Sequence, residues 1–204
     1  MSGGAVPTRV VRSPDGRGWQ LLRGGAPYFI KGVGGTVRCA RAAELGANSV
    51  RTWSATDLGA ALDAAHVAGL TVCAGLWVRH AELGADYYGD GAAAAEQRAA
   101  KLEEFRVAVR THRDHPALLL WAVGNEPNAH GFSALPGLFR FINEAARLVK
   151  TEDPSHAVAT VTTSPTEEVC ARAALRIMQA RVHYAHHTGA CALCASSSTD
   201  ARCP

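Results

Sequence analysis

The chain has 204 residues, 48% hydrophobic and 19% charged, with a formal net charge of +3; this is ordinary globular composition, which excludes collagen-like and disordered classes, and at roughly 100–200 residues per domain it allows one domain or a little more. The longest apolar runs, at 70–78 and 117–124, fall far short of the roughly 20 residues a membrane span needs, and the first residues lack the basic start and apolar core of a secretory signal, so neither feature is expected and localisation stays open. Twenty-one Lys and Arg against 18 Asp and Glu are scattered rather than striped, which argues against a nucleic-acid partner.

The predicted elements begin with two short strands, at 9–12 and 19–22, around Ser13-Pro14-Asp15-Gly16, which is hairpin chemistry. A β-rich run at 28–33 follows and ends in Gly32-Val33-Gly34-Gly35. Residues 38–45 predict a short helix closed by Gly46, and 48–53 a second strand. A helix over 57–68 turns Leu58, Ala61, Leu62 and Ala65 to one face and stops at Gly69. Residues 71–78 are apolar throughout and predict a third strand. A long helix over 92–112 places Leu102, Phe105, Ala108 and Val109 inward. Residues 117–123 predict a fourth strand. A helix over 135–149 has Leu138, Phe141, Ile142, Ala145 and Leu148 inward and is stopped by Asp153-Pro154. Residues 156–162 predict a fifth strand.

Strands apolar on both faces, alternating with amphipathic helices, predict a parallel sheet covered by helices. Two architectures fit: an open doubly wound sheet and a (β/α)8 barrel. Each unit takes roughly 32 residues, and a complete barrel usually needs about 250. A barrel in this chain is therefore incomplete after strand five, and the open edges of such a sheet predict self-association.

Composition changes towards the C-terminus. All four tryptophans lie by residue 121 and all five phenylalanines before residue 142; beyond that Tyr184 is the one aromatic residue. Aromatic side chains supply much of a core's buried area, so residues 166–204 are expected to lie outside the barrel. His183, His186, His187, Cys191, Cys194 and Cys203 include a Cys-x-x-Cys with nearby histidines, a zinc-ligand pattern. A second ordered pair and the apolar residues of a zinc module are missing, so no metal is assigned. A shifted reading frame, a retained intron or a truncated gene model in GC-rich coding sequence explains such text better. Cys39 and Cys73, in apolar stretches, read as small core residues.

The strongest local signal is Trp121-Ala-Val-Gly-Asn125-Glu126-Pro-Asn128 at the end of the fourth strand. Side chains at the carboxyl ends of parallel strands line active sites. A Glu there is expected to be part-buried with a raised pKa, as a general acid requires. The bland alternative is a loop in which Glu126 caps and Asn125 turns. The second strand ends in Arg51-Thr52-Trp53, and a buried Arg needs a carboxylate partner, for which Glu126 is the candidate. The third strand ends in Trp77-Val78-Arg79-His80. Tryptophans at three strand ends read either as platforms for sugar rings or as core. The glycines at 32–35 fit a phosphate-binding turn poorly, because the third Gly position holds Val37 and the region twenty residues on offers Arg.

Taken in order, Tyr28-Phe-Ile-Lys31-Gly32-Val, Leu45-Gly-Ala-Asn48-Ser-Val-Arg51-Thr-Trp53, Gly75-Leu-Trp77-Val and Asp114-His115-Pro116 through Asn125-Glu126 resemble the catalytic barrel of clan A glycoside hydrolases. The family 2 type of TIM-barrel domain is the nearest in style, with family 5 enzymes as neighbours, and the hairpin at 10–27, within an N-terminal lead-in segment 1–27, also resembles such domains. The resemblance covers residues 28–163. It implies a partial (β/α)8 barrel over 28–165, a carbohydrate substrate with a β-linked glycan as the class, hydrolysis with retention, and no cofactor. It implies that Glu126 is the general acid/base, that Asn125 contacts the sugar 2-hydroxyl and that Arg51 stands near the nucleophile. Trp53, Trp77, His80 and Trp121 would line the sugar site. The family's nucleophile is a Glu at the end of strand seven, a strand not expected here, and Glu167 and Glu168 match no such motif. A non-catalytic carbohydrate-binding protein is the second reading.

Overall fold

The computed structural model describes residues 4–80, 86–127, 136–162, 178–184 and 191–195. The chain opens with three antiparallel strands, β1 (Thr8–Arg12), β2 (Trp19–Arg23) and β3 (Ala26–Pro27), in the order β1-β2-β3. The predicted turn is tight: the Gly16 amide donates to Ser13 O at 2.9 Å and the Gly18 amide to Ser13 Oγ at 3.1 Å.

The remainder alternates strand and helix. It runs through β4 (Gly32–Gly34), α1 (Cys39–Glu44), β5 (Ser49–Arg51), α2 (Leu58–Val67), β6 (Thr71–Leu76), α3 (Ala92–His112), β7 (Leu118–Val123), α4 (Pro136–Glu152) and β8 (Ala157–Thr162), then β9 (Met178–Tyr184) and β10 (Cys191–Ala195). The strands form one sheet in the order β10-β9-β8-β7-β6-β5-β4, parallel from β4 to β9, with β10 antiparallel to β9. Strand β10 lies against β4, yet no backbone ladder joins them among the described residues. The fold is thus an α/β partial barrel, as the sequence predicts.

Two apolar layers hold it. Outside the sheet, Leu58, Leu62, Phe105, Val109, Phe141 and Ile142 of the helices pack on Val50, Val72, Leu118 and Val123 of the strands. Inside, Leu21 and Ile30 pack with Cys73, Leu119, Leu120, Ala122 and Ala159. The leading strands therefore plug the foot of the barrel rather than hang beside it. Burying Leu21 and Ile30 contributes about 1.5–3 kcal/mol each. Thr8 fixes the plug: its Oγ1 donates to Leu119 O at 2.7 Å and accepts the Ala157 amide at 2.9 Å, and its own amide donates to Ser155 O.

The tail differs from expectation. Residues 166–204 were expected outside the barrel, but β9 pairs with β8 and β10 with β9. The physical reason lies in the backbone: an edge strand offers a row of unpaired N–H and C=O groups that any extended run can join, with no call on aromatic side chains. The candidate zinc ligands of this segment have side chains outside the described residues.

Candidate functional site

The parallel strands end on one side of the sheet, and the connectors beyond β5, β6 and β7 meet there. Arg51 is the last residue of β5. It faces the barrel interior and is only 2% exposed. A guanidinium so placed requires acceptors, and its Nη2 donates to Asn125 Oδ1 at 2.7 Å. The bond expected with Glu126 goes to its neighbour instead. Because guanidinium only donates, this contact fixes the Asn125 amide with oxygen towards Arg51 and leaves Nδ2 as a donor for a ligand.

Asn125 and Glu126 are half-buried just past β7. Glu126 holds a left-handed backbone, φ +50°, a conformation that costs a non-glycine residue on the order of 1–3 kcal/mol and is concentrated at functional sites. Its amide donates to Val161 O of β8 at 2.8 Å, and the preceding Gly124 amide donates to Leu76 O of β6 at 2.9 Å. The Asn–Glu corner is thus tied to strands on both sides of its own.

The β6 connector closes from a third direction. Trp77 and His80 stack with centroids 6.1 Å apart and planes at 13°, and His80 Nε2 lies 3.3 Å from Asn125 O. The backbone between them is pinned by two tyrosines of the 3-10 turn Asp86–Tyr88. The Arg79 amide donates to Tyr87 Oη, and Tyr88 Oη donates to Arg79 O. Burial raises the pKa of both phenols, so they keep their protons. Both rings pack on Phe141 of α4.

Trp53 stands on the β5 connector, 42% exposed. The connector rests on Gly75: a Cβ there would lie 2.4 Å from Thr52 O and from Trp53 C, and the Gly75 amide donates to Thr52 Oγ1 at 2.9 Å. Sequence reasoning missed Thr52, Gly75, Tyr87 and Tyr88 as supports. A glycine inside an otherwise apolar strand was the available signal, since it marks close backbone approach.

Trp121 requires a correction. It was expected to wall the sugar site, but it is fully buried in the layer between sheet and helices. Its Nε1 donates to Asp153 Oδ2 at 2.8 Å, below the start of β8. Side chains alternate along a strand, and Trp121 falls on the helix side. The structure brings Arg51, Asn125, Glu126, Trp77 and His80 together around the corner, with Trp53 on the adjoining connector.

The family model for glycosyl hydrolases family 2, TIM barrel domain, matches residues 43–195, more than half of the chain and reaching into the tail. No curated protein matches. Among solved structures the chain is similar to a β-D-glucuronidase from Dictyoglomus thermophilum, with TM-score 0.58 and 20% identity over 80% of this chain and 30% of that one. It is similar to a family 2 β-galacturonidase from Eisenbergiella tayi bound to galacturonate, with TM-score 0.58 and 18% identity over 77% of this chain and 28% of that one. It is also similar to a β-1,4-D-mannanase from Cryptopygus antarcticus, with TM-score 0.59 and 14% identity over 78% and 62%. At these identities the likeness speaks for the fold. The chain spans less than a third of the length of the first two.

Proposed function

The chain belongs to glycosyl hydrolases family 2 through its TIM barrel domain, and from that premise we propose a glycosidase site that acts on a β-linked glycan with retention, with Glu126 as general acid/base. The observation that supports this most is the Asn125–Glu126 corner: a half-buried carboxylate at a strand end, in strained backbone, beside an amide oriented by Arg51. Glu126 would protonate the glycosidic oxygen as the leaving group departs, then take a proton from the water that releases the sugar. Asn125 Nδ2 would donate to the 2-hydroxyl. Trp53, Trp77 and His80 would flank the ring.

Retention needs a second carboxylate roughly 5–5.5 Å from the first to attack the anomeric carbon. The family's residue is a Glu after strand seven, and the described parallel strands number six. The second reading, in which the chain holds carbohydrate without cleaving it, is separated from the first by assay. β4 and β10 lie against each other without a ladder, and their unpaired main-chain groups are the proposed route to self-association. The deciding experiment is hydrolysis of aryl β-glycosides. Turnover lost in Glu126→Gln supports the catalytic reading; turnover that survives removes the acid/base assignment. Absence of turnover with retained sugar binding supports the second.

A further inference from the structure

A cavity of about 430 Å³ opens beside the corner, between the connectors after β4 and β5 and the first turns of α2. Its volume is in the usual ligand-pocket range of roughly 300–1,000 Å³. Arg51 forms its inner end while holding Asn125 on its other side. Arg51 is thus the residue that the cavity lining shares with the Asn–Glu corner.

We propose that this cavity is a subsite for a neutral hexose ring, the one adjoining the ring held at Glu126; the proposal rests on the carbohydrate reading above. Three observations point there. The first is emptiness by composition: α2 presents Ala60, Ala61 and Ala64 to the cavity, and side chains of one carbon leave the space that leucines would fill. Ala60 and Ala64 are also exposed, so no packing demand selects their size. The second is the mixed lining. Trp53 is a large apolar side chain left 42% exposed at this cavity, suited to the C–H face of a pyranose. Hydroxyls of Thr36, Ser54 and Thr56 share the lining and can both donate to and accept from sugar hydroxyls. The third is charge. Asp57 is exposed in the lining while Arg51 is buried and bonded to Asn125, so an acidic sugar would meet the Asp57 carboxylate, whereas the hydroxyls of a neutral sugar can donate to it.

The floor is built rather than loose. Gly75 and Thr52 hold the connector from below, the Thr56 amide donates to Ser54 Oγ at 3.3 Å, and Asp57 enters α2 in left-handed backbone, φ +53°.

The test is calorimetric titration of the full chain with methyl β-glycosides of one, two and three β-1,4-linked glucose, mannose or galactose units. The disaccharide of the preferred sugar should bind at least tenfold tighter than its monosaccharide. Ala60→Trp and, separately, Ala64→Phe should bring that ratio towards one. Both positions are exposed on a helix, so folding is retained, and Val67→Trp, on the same helix outside the cavity, should keep the ratio. Equal affinity of mono- and disaccharide in the wild type, or a ratio untouched by both filling variants, overturns the subsite and leaves the reading of Glu126 standing. A ratio that collapses as expected while Glu126→Gln has no effect on binding or turnover upholds the cavity and overturns the acid/base assignment. No binding of any probe overturns both.

Discussion

Asp153 is the residue whose removal the structure prices most directly, because four donors converge on one buried carboxylate. Trp121 Nε1 and His156 Nδ1 each donate to Oδ2 at 2.8 Å, and the Ser155 and His156 amides donate to Oδ1 at 3.0 and 3.1 Å. All three side chains are buried. In Asp153→Asn the oxygen can still accept the two amides, but the new NH2 group faces the indole N–H, so a donor meets a donor. A buried donor left unsatisfied costs about 1–3 kcal/mol, and hydrogen bonds to a charged group are worth about 1.5–3 kcal/mol. Asp153→Asn should therefore cost about 2–3 kcal/mol and Asp153→Ala more, against a total stability of about 5–15 kcal/mol. Urea titration followed by tryptophan fluorescence measures this. A double-mutant cycle with Trp121→Phe should return a coupling above about 1 kcal/mol. The pH dependence has a definite sign. Burial pushes the Asp153 carboxyl up, but the bonds from His156, Trp121 and Ser155 outweigh it and hold the pKa below its ordinary value. Its contribution is thus fully present above about pH 4 and is lost as pH falls through the folded-state value. The Asn variant should lack that acid-side component. Asp153→Asn within about 0.5 kcal/mol of wild type at pH 7, or zero coupling to Trp121, would refute this account of the barrel foot.

Gly75→Ala should displace the Trp53 connector, because the clash is with backbone at 2.4 Å and cannot be relieved by a rotamer; disaccharide binding should fall at least tenfold with a stability loss of about 2–3 kcal/mol, read by calorimetry and urea titration. Cys73, whose thiol burial pushes up to about 11, should resist iodoacetamide at pH 8 in the native chain and react in urea, as peptide-resolved mass spectrometry will show; native labelling would contradict its burial. Size-exclusion chromatography should show self-association through the β4 and β10 edges, and a sharp monomer peak would remove that proposal.

The elements between residues 38 and 162 were legible because each carries its own period and stop signals, and α3, predicted over 92–112, is Ala92–His112. Strand β4 was less so: of the β-rich run 28–33 only its last residues, with Gly34, join the ladder, since Tyr28 and Ile30 turn into the foot beside Leu21. Trp121 shows the limit most clearly. In a strand apolar at every position, alternation carries no record of which face is which, so an indole facing α4 reads the same as one facing a sugar. The tail failed for a different reason. Pairing of β9 uses main-chain groups, and composition is silent about those.

The strand-end residues, by contrast, were legible because their neighbours are fixed by topology. Sequential parallel strands lie side by side, so the residues after β5, β6 and β7 come to one place, where Arg51 and His80 meet Asn125. Among the described residues the bonds that shape the corner come from β5 to β8 or their connectors: Arg51 to Asn125, His80 to Asn125 O, Gly124 to Leu76, Glu126 to Val161. Among the described residues the Asn–Glu corner is therefore held by four consecutive strands, over a foot plugged by Leu21 and Ile30. On the proposed reading of Glu126, the geometry of the acid/base carboxylate is thus set by strands β5 to β8 and their connectors.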